Sequence, residues 1–176
     1  MPQLSDQVCT PFLCSEHVTK LCRIPRFIVC SLLRTTLALG TEEGVALLLD
    51  LVREADVIVE AMRPGGLARR GLTFERMAEV NPRLVQCTIS GYGMTGPYET
   101  LASHGIAYDA WAGIFDPEID ENGFPSIPNH VSIGINAAPL FGGIAILAAV
   151  IRARETGRGT MMELAQSDAA AAFDWY

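Results

Sequence analysis

The stretch "VIVEAMRPGGLARRGLTFERMAEVNPRLVQCTIS" (residues 57–90) decides the fold class. "VIVEA" (57–61) is a short, largely β-branched run, apolar enough to predict a strand buried on both faces. "RPGG" ends it, because Pro64 has no amide hydrogen and two glycines follow. A short helix, "LARRG", comes next. Thr73 then opens a further helix, "FERMAEV", which stops at Asn81–Pro82. "LVQCTIS" (84–90) is the next strand. Strand, helix and strand joined by connections of a few residues predict βαβ units and a parallel sheet. Ligands of such sheets bind beyond the carboxyl ends of the strands. Two loops therefore mark the candidate site: "AMRPGGLARR" after the first strand and "GYGMTGPY" after the second.

Upstream, Thr41 is placed to cap a helix, and Glu42 and Glu43 suit its positive end. Val45, Leu48, Leu51 and Val52 fall on one face, and Ala55–Asp56 closes the helix. Residues 1–40 show neither strand alternation nor a sustained helical period, so they form an irregular, unplaced segment ahead of an α/β domain over 41–176. Downstream, "AYDAWAGIF" predicts a helix and "DPEIDENGFPSIPNH" an acidic loop. A long helix runs from about Ala138 to "TGRG", with Gly157 beyond its end and Arg152 and Arg154 in its last turn. "MMELA" reads as a strand. "QSDAAAAFDW" begins a helix that Ser167 would cap.

Composition limits the function classes. The 176 residues suffice for one domain with a real core, and 49% are hydrophobic. A net charge of −7 argues against a nucleic-acid backbone or an anionic membrane surface as partner. Four of the five cysteines (Cys9, Cys14, Cys22, Cys30) crowd into the first thirty residues without a C-x-x-C pair. That spacing argues against zinc and predicts no metal site. The polar start lacks a basic segment followed by an apolar run, which predicts a cytoplasmic chain with free thiols. Residues 131–151 carry no charge, long enough to span a membrane. Asn136, Pro139 and Gly142–Gly143 interrupt them, and a buried helix of a soluble α/β protein is the favoured reading.

Taken by spacing alone, the motifs are open. "GYGMTGPY" is neither GxGxxG nor a phosphate loop, and a structural turn is the simpler reading. Arg69–Arg70 beyond a strand end could grip a phosphate or form a solvated pair. His104 could act as a general base, although a lone histidine is more often a bystander. Asp109, five residues on, is not at a same-face helical spacing from it.

Three segments in order carry a resemblance: residues 51–98, "AYDAWAGI", and "AAVIRARETGRGTMMELAQSDAA". They resemble the class III CoA-transferases, a family that includes formyl-CoA transferase, carnitine CoA-transferase and alpha-methylacyl-CoA racemase. Its hallmarks are a strand ending in VEN-(F/Y)-RPG, an NP(R/K)L turn, a strand ending in SG(Y/F)G…GP, and a helix ending in TGxGQ. The resemblance covers about residues 41–172. It implies an open, mostly parallel, Rossmann-like α/β sheet with flanking helices, here incomplete, in two chains interlocked as a homodimer. It implies coenzyme A as a substrate moiety, with an acyl-CoA and a carboxylic acid as small-molecule partners. In the transferases an aspartate attacks the acyl-CoA, forms a mixed anhydride, then an aspartyl-CoA thioester, and passes CoA to a second acid. In the racemases a histidine and an aspartate exchange an α-proton made labile by the thioester.

Carried over by position, the resemblance puts Met62, Arg69, Arg70, Gly91 and Gly93 at coenzyme A. His104 falls where the racemases have their base, and Asp109 is the candidate acid beside it. Ala61 and Met62 replace the usual Asn-Phe/Tyr. The transferase aspartate is expected near "SIGINAAP", where Ile135 stands and no carboxylate occurs. CoA transfer is the leading expectation. Racemase-like proton transfer through His104 is one alternative, and a non-catalytic CoA-binding protein or inactive gene fragment is another.

Overall fold

A computed structural model describes residues 36–102, 104–116, 118–126 and 132–173. The four clustered cysteines and the expectations for residues 1–35 lie outside them. From Leu39 onward the chain forms one compact unit.

Helix α1 (Glu42–Glu54) begins as its sequence dictates: the Thr41 hydroxyl accepts a hydrogen bond from the Gly44 amide, and Glu42 and Glu43 occupy the first turn. Strand β1 (Val57–Glu60) leads through a single 3₁₀ turn (Ala68–Arg70) to α2 (Phe74–Val80), where the Thr73 hydroxyl accepts from the Arg76 amide. Strand β2 (Val85–Ser90) follows, then α3 (Ile106–Trp111). Within the predicted acidic loop, residues 118–126 form a two-rung antiparallel ribbon, β3 (Glu118–Ile119) with β4 (Pro125–Ser126). Helix α4 (Ile133–Thr156), strand β5 (Thr160–Ala165) and α5 (Gln166–Ala171) complete the described chain.

The three long strands form one sheet in the order β1-β2-β5, and both pairings are parallel. Residues alternate between its faces. Ile58 packs with α1 and α2 around Val45, Val52, Leu72, Met77 and Leu84. Val57, Val85 and Met162 point the other way, against Ala149 and Ala153 of α4. Met77 and Leu84 are fully buried, and each such side chain contributes about 1.5–3 kcal/mol. The open parallel α/β sheet with flanking helices is therefore present.

Four details depart from the expectations. Val59 is 55% exposed, so β1 is not buried along both faces: α4 covers Val57 on that side and leaves Val59 open. Leu51 is exposed, and the core face of α1 is Val45, Leu48 and Val52. Ser167 does not cap α5: it lies buried inside the helix, whose N-cap is Ala165. Helix α4 starts at Ile133 and is not a buried helix, since only one of its faces is covered. It is also long and apolar enough to cross a membrane by length and composition. Its covered face is made of small residues. A Cβ on Gly134 would lie 2.8 Å from the Gln166 carbonyl oxygen, so only glycine permits that approach to α5.

Candidate functional site

Parallel strands bring their carboxyl ends to one edge, and a groove of about 240 Å³ opens there. Its walls come from all three strand ends: Ala61–Pro64 after β1, Ile89–Tyr92 after β2, and Gln166 after β5. Glu99–Ala102 and Tyr108 close it from the glycine turn and α3.

Each loop is pinned by a carboxylate that the sequence reading did not single out. Glu60 is buried at the end of β1; its Oε1 accepts from the Leu67 amide (3.0 Å) and its Oε2 from Gln86 Nε2 (3.3 Å). The "RPGG" turn is thereby folded back over its own strand. Glu163 of β5 does the same for the glycine turn, accepting from the Met94 amide at 2.5 Å. The register could have found these groups, because Glu60 and Glu163 both pair with Thr88 and share one face of the sheet.

The glycines have specific reasons. Gly93 has φ +100°, and its amide donates to the Ser90 hydroxyl. A Cβ on Gly91 would lie 2.6 Å from the ring of Tyr108, so the turn and α3 meet only because that side chain is missing. Tyr108 also meets Tyr92 edge-on, and Trp111 meets Tyr92 and Tyr98. Burial, then the neighbouring Tyr92, pushes the Tyr108 phenol above its ordinary pKa.

A second cavity, of about 530 Å³, is lined in part by the later residues of the connection after β1. Arg69, Arg70 and Arg76 line it, with the first turns of α1 including Glu42. Each guanidinium is held by a backbone carbonyl: Arg69 by Pro64 (2.8 Å), Arg70 by Gly66 (2.6 Å) and Arg76 by Gly71 (2.9 Å). Among the described residues none of the three is paired with a carboxylate. Three fixed cations against a single lining carboxylate, Glu42, are suited to a polyanion.

The predicted residues thus separate into groups. Met62 and Gly91 line the groove, Gly93 shapes its turn, and Arg69 and Arg70 line the cavity. His104 is exposed just before α3 and lines neither space. Asp109, the expected acid, lies apart from the residues that line the groove. It is fully buried, and its two oxygens accept from the amides of Ile133 (2.8 Å) and Gly134 (2.6 Å) at the start of α4. A carboxylate occupied in this way neither reaches solvent nor faces the groove. Ile135, where the transferase nucleophile was expected, stands beside the His104 segment: its Cδ1 lies 3.4 Å from the position of a Cβ on Gly105. Among the described residues no cluster of three metal-ligating side chains occurs.

The model of CoA-transferase family III matches residues 33–174. The chain belongs to CoA-transferase family III. The match extends into the segment before Thr41. The succinate–glutarate CoA-transferase of Agrobacterium fabrum is 37% identical over 134 residues, which are 74% of this chain and 32% of that protein. The formyl-CoA:oxalate CoA-transferase of Streptomyces avermitilis is 33% identical over 140 residues, 80% of this chain and 34% of the relative. Among solved structures, a CAIB/BAIF family protein from Brucella suis superposes with a TM-score of 0.68 at 34% identity, covering 78% of this chain and 36% of that one. The chain thus spans about a third of the length of the family members it matches.

Proposed function

We propose that this chain binds coenzyme A thioesters astride residues 61–71. The acyl end lies in the groove at the strand ends, and the phosphates lie in the arginine-lined cavity. The reading rests on one observation above others: residues 61–64 line a partly apolar groove, and Arg69 and Arg70 of the same connection line a second cavity with Arg76 of α2, none of the three paired with a carboxylate among the described residues. A ligand anionic at one end and acylated at the other matches both. In the whole protein this binding would serve transfer of CoA from an acyl-CoA to a carboxylic acid, the activity for which the relatives are named.

Ile135 favours a second reading, binding without transfer. The anhydride route needs an ionised carboxylate at the thioester, and an isoleucine side chain supplies none. Racemase-like exchange is less well supported, because the carboxylate of Asp109 already accepts from two amides of α4 and, among the described residues, no ion pair of His104 with an acid occurs.

Isothermal titration with coenzyme A, its 3′-dephospho form and acetyl-CoA tests the binding. Arg69→Ala and Arg70→Ala should each weaken CoA by about tenfold, the equivalent of one charge-assisted hydrogen bond. No heat with any of the three would sink the proposal. Exchange of label from acyl-CoA into free carboxylate then separates transfer from binding alone.

A further inference from the structure

We infer that Gln86 is a positioning residue for Arg70, acting through Glu60 and one peptide group, on the reading that the arginine-lined cavity takes the phosphates of coenzyme A. The peptide that joins Gly66 to Leu67 is held at both ends. Its N–H donates to Glu60 Oε1 (3.0 Å), and its carbonyl accepts from Arg70 Nη1 (2.6 Å). The Leu67 carbonyl accepts from the Arg70 amide (2.9 Å), so the base and the tip of that arginine hang on the same two residues. A peptide group is planar, with its N–H and C=O pointing opposite ways. Turning the N–H off Glu60 therefore turns the carbonyl away from the guanidinium.

Backbone preference does not set that plane, because Gly65 and Gly66 precede it and Gly65 has φ +71°. The carboxylate sets it. Gly66 is packed against this group: a Cβ there would lie 2.7 Å from Met62 Cβ and 3.1 Å from Glu60 Oε1. Glu60 in turn is fixed by Gln86. In the parallel register Gln86 pairs with Ile58, so Glu60, two residues on, is its diagonal neighbour on the same face. Gln86 Nε2 reaches Glu60 Oε2 at 3.3 Å, with Gln86 4% and Glu60 6% exposed. The amide leaves its other half unsatisfied to do so. Among the described residues no group donates to Gln86 Oε1, although that atom is buried. A buried acceptor without a donor is costly, yet turning the amide over would set its carbonyl against the carboxylate. The orphaned oxygen marks an amide oriented by the demand of Glu60 rather than by its own.

Calorimetry of coenzyme A binding to the full chain tests this as a double-mutant cycle. Gln86→Met keeps the length of the side chain and removes its donor. It should weaken CoA by about fivefold in the wild type and by no more than about twofold in Arg70→Ala. A residue acting elsewhere would weaken CoA equally in both backgrounds. Exchanging the two groups, Glu60→Gln with Gln86→Glu, reverses the bond between them and keeps an acceptor for the Leu67 amide, so it should restore affinity. Hydrogen exchange at the Leu67 amide reads the same contact without ligand. It should be about tenfold faster in Gln86→Met and return to the wild-type rate in the exchanged pair. Equal losses of affinity in the two backgrounds would overturn the inference. So would a Leu67 rate that Gln86→Met leaves unchanged or that the exchanged pair fails to restore. No heat from CoA with the wild type would instead sink the reading of the cavity, and the Leu67 rates would still decide the contact.

Discussion

Asp109 holds the amide of Gly134 at 2.6 Å across 25 residues of sequence, and it anchors the start of the longest helix in the described chain. Two unpaired amides at a helix N-terminus carry partial positive charge, and a buried carboxylate is their strongest partner. Asp109→Ala leaves both amides unsatisfied in the interior and should cost about 2–4 kcal/mol. Asp109→Asn keeps one acceptor and should fall between. Urea denaturation of the two variants checks this. Wild-type stability in both would show that the start of α4 does not depend on this carboxylate.

A close approach of the same kind fixes the glycine turn. Gly91→Ala drives a methyl into the ring of Tyr108 and should destabilise by about 1–3 kcal/mol. Tyr108→Leu vacates that space at its own cost. Combined with Gly91→Ala, it should recover at least half of the glycine penalty. Strict additivity in this double-mutant cycle would show that the two residues do not meet.

These two contacts mark the boundary of what local sequence discloses. Thr41, Thr73 and Gly157 announce helix ends within one turn, and each end lies where its residue places it. The β-branched runs gave the parallel strands, and their carboxyl ends located the groove. Helix α4 was read as starting five residues late because Asn136 and Pro139 weaken it locally. What rescues that first turn is a carboxylate 24 residues upstream, which no local pattern contains. The same distance hid the contacts of Asp109: the resemblance made it the candidate acid beside His104, and no local pattern showed that its carboxylate also holds the start of α4. The exposure of Val59 and of the outer face of α4 was hidden for another reason. Hydrophobicity shows that a side chain seeks cover and not whether the described chain provides it.

Alkaline pH should probe the groove wall. Burial, reinforced by Tyr92, raises the Tyr108 phenol. The folded state therefore keeps this proton longer than the unfolded chain does. Its contribution to stability is complete below the unfolded value near about pH 10 and is lost as pH rises through the folded value. Absorbance titration of tyrosinate should show one late-ionising phenol that disappears in Tyr108→Phe. In that variant the loss of stability above about pH 10 should be shallower. A full complement of late phenols in Tyr108→Phe would assign the shift to another ring.

Position 135 offers the sharpest test of why a CoA-transferase scaffold would bind without transferring. Ile135 is 39% exposed on the first turn of α4, so a carboxylate there remains solvated and costs little stability. The same turn is the positive end of the helix, which favours an ionised acid. The side chain also borders Gly105, next to His104. Ile135→Asp should leave CoA affinity within about threefold of wild type, because residue 135 lines neither cavity. Hydroxylamine-sensitive acyl-CoA turnover, the signature of an anhydride or thioester on a carboxylate, is expected only if the thioester extends past the groove to the Gly105 segment that residue 135 borders. Ile135→Asn, of nearly equal size and without charge, should remain silent. Equal turnover in wild type, Asp and Asn variants would show that the nucleophile stands elsewhere, and Glu99 on the groove wall would be the next residue to replace.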